Sequence, residues 1–269
     1  SGSLFRRDGF DPKLIKVNTS TEYWQKRAAL LTTYPLGTHD VELPANARVF
    51  MIAGTQHAGR VGLTPAAGPC ANPRNPHNPS AALRALLVDL DDWVSKGIEP
   101  PASRVPRLAD GTLVAADATG FPAIPEFHLV HAVNAIARFG DWVHPHPEGG
   151  QQYRPLVAKV GADGNEVAGI LLPDIAAPLA TYTGWNAYKL PFPEGELCDR
   201  DGSYAPLAKT RAERLKSGDP RPSLEEIYGD HAGYVAKLTA AAEALVSARL
   251  LLPEDARRYI EAAKLDKTL

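Results

Sequence analysis

Cysteine, net charge and long apolar runs are all scarce in this chain. Only two cysteines, Cys70 and Cys198, occur in 269 residues, which excludes a framework of several disulfides. Each lies in a loop flanked by proline or glycine, and two readings stay open for them. They form one disulfide closing a long loop, which would suit a secreted or periplasmic protein, or they are two free buried thiols. A formal net charge of -2 supplies no basic footprint for nucleic acid. No stretch of about 18 apolar residues suggests a membrane span. The opening residues, Ser1 to Arg7, have neither an initiator methionine nor the apolar core of a signal peptide, and read as a processed or extracted boundary.

What the chain does contain is an acid and a histidine at the ends of two apolar strands. Lys13 to Asn18 is a short β-favouring run that breaks into Thr19, Ser20 and Thr21 and then reaches Glu22. Ala47 to Ala53 is a second strand, ending in Gly54-Thr55-Gln56-His57-Ala58-Gly59, where glycine lets the chain turn sharply over the sheet edge. The separation of 35 positions from Glu22 to His57 leaves room for a helix from Tyr23 to Leu31 and a loop between adjacent parallel strands. Reactive groups gather at this carboxyl edge of open α/β sheets, and an acid followed by a histidine is the order of the α/β-hydrolase triad. In that arrangement His57 takes a proton from a serine hydroxyl and returns it to the leaving group, while Glu22 fixes the imidazole tautomer. The serine itself is missing. No Gly-x-Ser-x-Gly elbow occurs, and Ser1-Gly2-Ser3 and Gly202-Ser203 lack both the preceding strand and the spacing.

Five stretches carry a family resemblance: residues 18–24, Ala53 to His57, Pro106 to Val114, Gly184-Trp185-Asn186, and Gly218 to Glu226. Together they resemble the bacterial alpha/beta hydrolase domain proteins, over about Lys13 to Lys264. The resemblance implies an esterase-like hydrolase in which Glu22 matches the acid and His57 the histidine. It also implies that the serine and oxyanion hole belong to an N-terminal half outside these residues.

The expected fold is α/β: residues 1–97 as the C-terminal part of a mostly parallel hydrolase sheet with flanking helices, and residues 98–269 as an accessory, lid-like extension. Ser80 is expected to cap a helix running to Lys96 and stopped by Gly97, with Leu83, Leu86, Leu87, Leu90, Trp93 and Val94 as its apolar stripe. Arg84, Asp91, Asp92 and Lys96 then face outward, and the run from Asp89 to Asp92 reads as a solvated face. Proline density from Gly97 to Pro155 disfavours long elements. Pro155 to Val160 and Glu166 to Leu172 flank the Asp163-Gly164 turn as a β-hairpin; the acidic spacing of a calcium loop is absent there. Ser223 and Glu226 form a capping box, Tyr234 to Leu250 reads as a helix, and Pro253 opens a last one through Ala263.

Trp185, Asn186 and Tyr182 concentrate aromatic and amide groups in one loop, either as walls of a substrate pocket or as a plug in the core. His144-Pro145-His146 lacks further metal ligands, and His39, His77, His128, His131 and His231 show no partner spacing. No cofactor or metal is expected. The leading expectation is carboxylic ester hydrolysis of a small-molecule substrate through an acyl-enzyme. The alternative is a non-catalytic binding or interaction module derived from a hydrolase fold.

Overall fold

Strand β1 (Leu14–Thr19) pairs in parallel with β2 (Ala47–Ile52), from Leu14 opposite Ala47 to Thr19 opposite Ile52. The computed structural model describes residues 11–58, 68–141 and 143–269. β2 is the buried centre of the molecule: Phe50, Met51 and Ile52 are fully inaccessible. Its other edge is met by single parallel bridges, Phe50 to Arg104 and Ile52 to Ile170, rather than by a third strand.

Both strands end at helix-forming or turn-forming signals. Thr19 leads into α1 (Ser20–Lys26), which Arg27 terminates in the left-handed conformation. Gly54, at φ +63°, turns the chain out of β2; an added Cβ there would lie 2.4 Å from Ile175 Cδ1. That turn therefore needs glycine both for its backbone and for the close approach of its neighbour.

The expected mostly parallel sheet is corrected. Beyond β1 and β2 the described strands form three two-stranded antiparallel pairs: β3 (Leu113–Ala115) with β6 (Leu156–Ala158), β4 (Ala137–Phe139) with β5 (Pro147–Gln152), and β7 (Ala180–Tyr182) with β8 (Tyr204–Pro206). Prolines at 100, 101, 106, 122, 125, 145, 147 and 155 withhold backbone donors through this part of the chain and keep its ladders short. The expected hairpin shrinks to its tip for the same reason of competing partners. Val160 bridges Glu166 around the turn, but Leu156–Ala158 pairs with β3, and Ile170 bonds to β2.

Helix α2 (Ser80–Lys96) spans the expected residues and ends at Gly97 in the left-handed conformation, although Pro79 rather than Ser80 is its N-cap. Its buried face differs from the expected stripe. Ala81, Ala82, Ala85, Leu86, Asp89 and Trp93 face inward, while Leu83, Leu87 and Val94 are exposed. The buried face is thus built mainly from alanines, with Leu86 and Trp93 the members of the expected stripe that stay buried. Asp89 is consequently buried, not solvated, with Arg249 Nε at 3.6 Å, and burial pushes its carboxyl above the usual range.

The remaining helices are α3 (Pro173–Ala176), α4 (Arg211–Ser217), α5 (Leu224–Tyr228), α6 (His231–Ser247) and α7 (Pro253–Leu265). The Ser223–Glu226 capping box opens α5, and Pro253 stands in the first turn of α7. One apolar cluster joins Tyr23, Trp24, Met51 and Ala53 to Val157, Ile175 and Trp185. A second joins Phe50, Ile52 and Leu86 to Ile170, Leu172, Leu250 and Leu251. Residues before and after position 97 thus share both cores. Cys70 and Cys198 are joined as a disulfide across 128 positions, which selects the first of the two cysteine readings. Among the described residues no helix is long and apolar enough to cross a membrane, and no group of three or more His, Cys, Asp or Glu is placed to hold a metal.

Candidate active site

Parallel pairing of β1 and β2 puts both strand exits at one end of the sheet, and the two following turns bring Glu22 and His57 together. His57 Nδ1 lies 2.5 Å from Glu22 Oε1. The imidazole is 44% exposed at its side chain and the carboxyl 18%, so the pair sits at the surface with its acid turned inward. Nδ1 donates to the carboxylate, which leaves Nε2 as the basic nitrogen on the solvent side.

Glu22 is held from its other oxygen as well. Oε2 accepts the Thr19 backbone N–H and the Thr19 hydroxyl, each at 2.5 Å, so the carboxylate caps α1 while it orients the histidine. One carboxylate thus contacts the start of α1 through Oε2 and the imidazole through Oε1.

Residues from the second half of the chain brace both turns. The Thr21 hydroxyl donates to Gly184 O at 2.6 Å, and Gln25 donates to Asp199 O. Gly184 is a contact point where no side chain fits: a Cβ would lie 2.2 Å from Ser20 Cβ and 2.6 Å from Thr21 N. On the histidine side, Gln56 Oε1 accepts the Gly202 N–H at 2.9 Å, and Asn75 donates to both Gly54 O and Thr183 O. The disulfide fastens the segment after His57 to the strand-poor region that supplies Asp199 and Gly202.

Trp185, Asn186 and Tyr182 lie behind these turns. Asn186 is fully buried and uses its whole amide on backbone: Oδ1 accepts Asn72 N–H and Ala187 N–H, and Nδ2 donates to Asn72 O and Gly202 O. Trp185 packs against Trp24, Phe121 and Phe127 with ring centroids 5.2–5.8 Å apart. Tyr182 packs against His77 and Tyr204. All three are buried. Two open clefts, of about 380 and 490 Å³, share His131 and involve Trp24, Arg154, His128 and Tyr188; neither is lined by Glu22 or His57.

A second histidine–carboxylate contact has a different character. His77 Nδ1 is 3.2 Å from Asp174 Oδ2, but the His77 side chain has no exposure at all. Its imidazole is closed off from solvent, unlike that of His57.

The residues that sequence reading overlooked are Ser20 and Glu166. Glu166 accepts the Ser20 hydroxyl at 2.5 Å and the Gly54 N–H at 2.8 Å through one oxygen, Oε2, beneath the two turns. Burial pushes its carboxyl up to about 7 against the opposing effect of those two hydrogen bonds. The available signal was a glutamate directly after the Asp163-Gly164 turn, at a position that a hairpin reading leaves on the surface.

A family model described as alpha/beta hydrolase domain matches residues 3–261, nearly the whole chain. The chain belongs to this family. No curated protein and no solved structure matches it. Family membership supports a hydrolase in general terms and agrees with an acid and a histidine gathered at the carboxyl ends of parallel strands.

Proposed function

We propose that this alpha/beta hydrolase cleaves carboxylic esters of small molecules through an acyl-enzyme, with Glu22 and His57 serving a serine nucleophile; the expectation that this serine belongs to a separate N-terminal half is not supported, because the family model spans nearly the whole chain. The observation that carries the reading is the 2.5 Å contact from His57 Nδ1 to Glu22 Oε1 at the exits of two paired parallel strands. In it, His57 Nε2 removes the serine proton as Oγ attacks the ester carbonyl. The same proton passes to the departing alcohol as the C–O bond breaks. His57 then activates water to hydrolyse the acyl-enzyme. Glu22 holds the ring and balances the transient imidazolium. The disulfide suits an oxidising compartment.

A second reading, a binding or interaction module derived from the hydrolase fold, is favoured by one observation: no Gly-x-Ser-x-Gly occurs in the sequence. A serine-reactive fluorophosphonate separates the two when applied to the intact protein alongside a p-nitrophenyl ester assay. Labelling and turnover that both collapse in His57→Ala support the enzyme. Unchanged turnover in that variant removes His57 from the mechanism, and absence of both signals in the natural protein supports the module.

A further inference from the structure

We propose that Glu166 is a positioning residue for the Glu22–His57 pair, locking the acid-bearing turn to the histidine-bearing turn through Ser20 and Gly54. This rests on the hydrolase reading above and goes beyond it by assigning a role to a residue in the second half of the chain.

The geometry joins three separate segments at one buried point. Glu166 Oε2 accepts the Ser20 hydroxyl at 2.5 Å across 146 positions and the Gly54 N–H at 2.8 Å across 112. Ser20 Oγ in turn accepts the Thr55 N–H at 3.3 Å. Ser20 is the first residue of α1, two before Glu22, while Gly54 and Thr55 precede His57 by three and two. Glu166 therefore ties the turn that carries Glu22 to the turn that carries His57, and its loss frees the two turns from each other.

A carboxyl is a costly way to fill this space. Ser20 is fully buried and Glu166 nearly so, and among the described residues only the bonds from Ser20 and Gly54 favour the charged form. Tyr23, whose buried hydroxyl finds no hydrogen-bond partner among the described residues, is a titratable group close to it. An apolar side chain of similar size would spare that desolvation but would orphan the Ser20 hydroxyl and the Gly54 N–H at the turns that carry the chemistry. Glu166 also lines a small cavity with Trp24, Tyr182, Gly184 and Trp185.

The test compares Glu166→Ala, Glu166→Gln and Ser20→Ala with the natural protein by the low-field His57 Nδ1 proton resonance and by kcat and KM on a p-nitrophenyl ester. Loss of positioning in Glu166→Ala and Ser20→Ala should broaden or erase the Nδ1 resonance and lower kcat tenfold or more, with KM within about twofold. Glu166→Gln, which keeps an acceptor for both donors, should restore most of each signal. Folded Ala variants with an unchanged resonance overturn the proposal; if Glu166→Ala does not fold, Ser20→Ala and Glu166→Gln decide it. Should the natural protein turn over no ester, the hydrolase reading fails, and the resonance alone still decides whether Glu166 sets the pair.

Discussion

Glu22 and His57 share a 2.5 Å hydrogen bond whose acceptor carboxylate is already fixed, through its other oxygen, by the backbone and hydroxyl of Thr19. The acid cannot swing away from the imidazole without giving up the hydrogen bonds it makes at the start of α1, so one carboxylate serves both contacts. Glu22→Gln should accordingly lower kcat by about 10²- to 10⁴-fold, because the amide no longer stabilises the imidazolium, while leaving the fold intact. Glu22→Ala should add a loss of about 1 kcal/mol in stability from the missing cap. Steady-state kinetics beside thermal unfolding separates the two effects; equal kcat in all three proteins would remove Glu22 from catalysis.

The bond between Cys70 and Cys198 closes a loop of 128 positions. Removing a link of that span should cost about 2–5 kcal/mol, chiefly by freeing the unfolded chain. Thermal unfolding of Cys70→Ser, and of the natural protein with and without reductant, measures it. An unshifted midpoint would show that the bond contributes nothing to stability.

Glu166 makes stability depend on pH in the direction opposite to an ordinary paired carboxylate. Its carboxyl is raised by burial from 4.5 to about 7 in the folded protein. Between those values the folded state keeps a proton that the unfolded chain has released, so this contribution is fully present below about pH 4.5 and is lost as pH rises through about 7. A gap of that size corresponds to about 3 kcal/mol at most. Urea midpoints near pH 5 and pH 8 should differ in the natural protein and differ less in Glu166→Gln; identical trends in the two would refute the assignment.

Gly184 lies where the second half of the chain touches the first turn of α1. Since a Cβ there would sit 2.2 Å from Ser20 Cβ, Gly184→Ala should force α1 outward, costing about 1–3 kcal/mol and lowering ester turnover through a displaced Glu22. A variant that matches the natural protein in both unfolding midpoint and kcat would show that the turn yields without consequence.

Arg221 is a buried tie between the β7–β8 pair and the segment before α5. It donates to Asp219 Oδ2 at 2.6 Å, to the Thr181 hydroxyl at 2.8 Å, and to Ala205 O and Pro206 O at 2.9 Å. Burial pushes the Asp219 carboxyl up, but the hydrogen bonds from Arg221 outweigh it and hold the group below the usual carboxylate range. Arg221→Ala should cost about 3–5 kcal/mol by leaving that carboxylate uncompensated. Arg221→Lys should recover only part of the loss, because an ammonium cannot reproduce the planar fork. Equal stability of the two variants, read from chemical unfolding, would contradict the geometric account.

Local rules made several elements legible in advance. The β-favouring runs around Val17 and Phe50, the Gly97 stop of α2, the Ser223–Glu226 capping box and the proline opening α7 depend on neighbours within a few positions. The placement of Glu22 and His57 followed from the same logic, since each stands just after a strand and parallel pairing brings such ends together. Where a choice depended on distant partners, local pattern was insufficient. The α2 face turned inward is built on alanines where leucines were expected, and Leu156–Ala158 took β3 as partner in place of the nearer hairpin strand.

The amino-acid sequence by itself determined which residues could be acid and base, where the principal strands and helices begin, and that no serine elbow lies among these residues, because these depend on residue chemistry and short-range backbone preference. Only the tertiary structure decided that Cys70 meets Cys198, that Asn186 is a buried brace, and that Glu166 sits beneath the Glu22–His57 pair. Those contacts span more than a hundred positions, and burial alone turns a glutamate after a turn into a carboxyl whose two hydrogen bonds hold the site together.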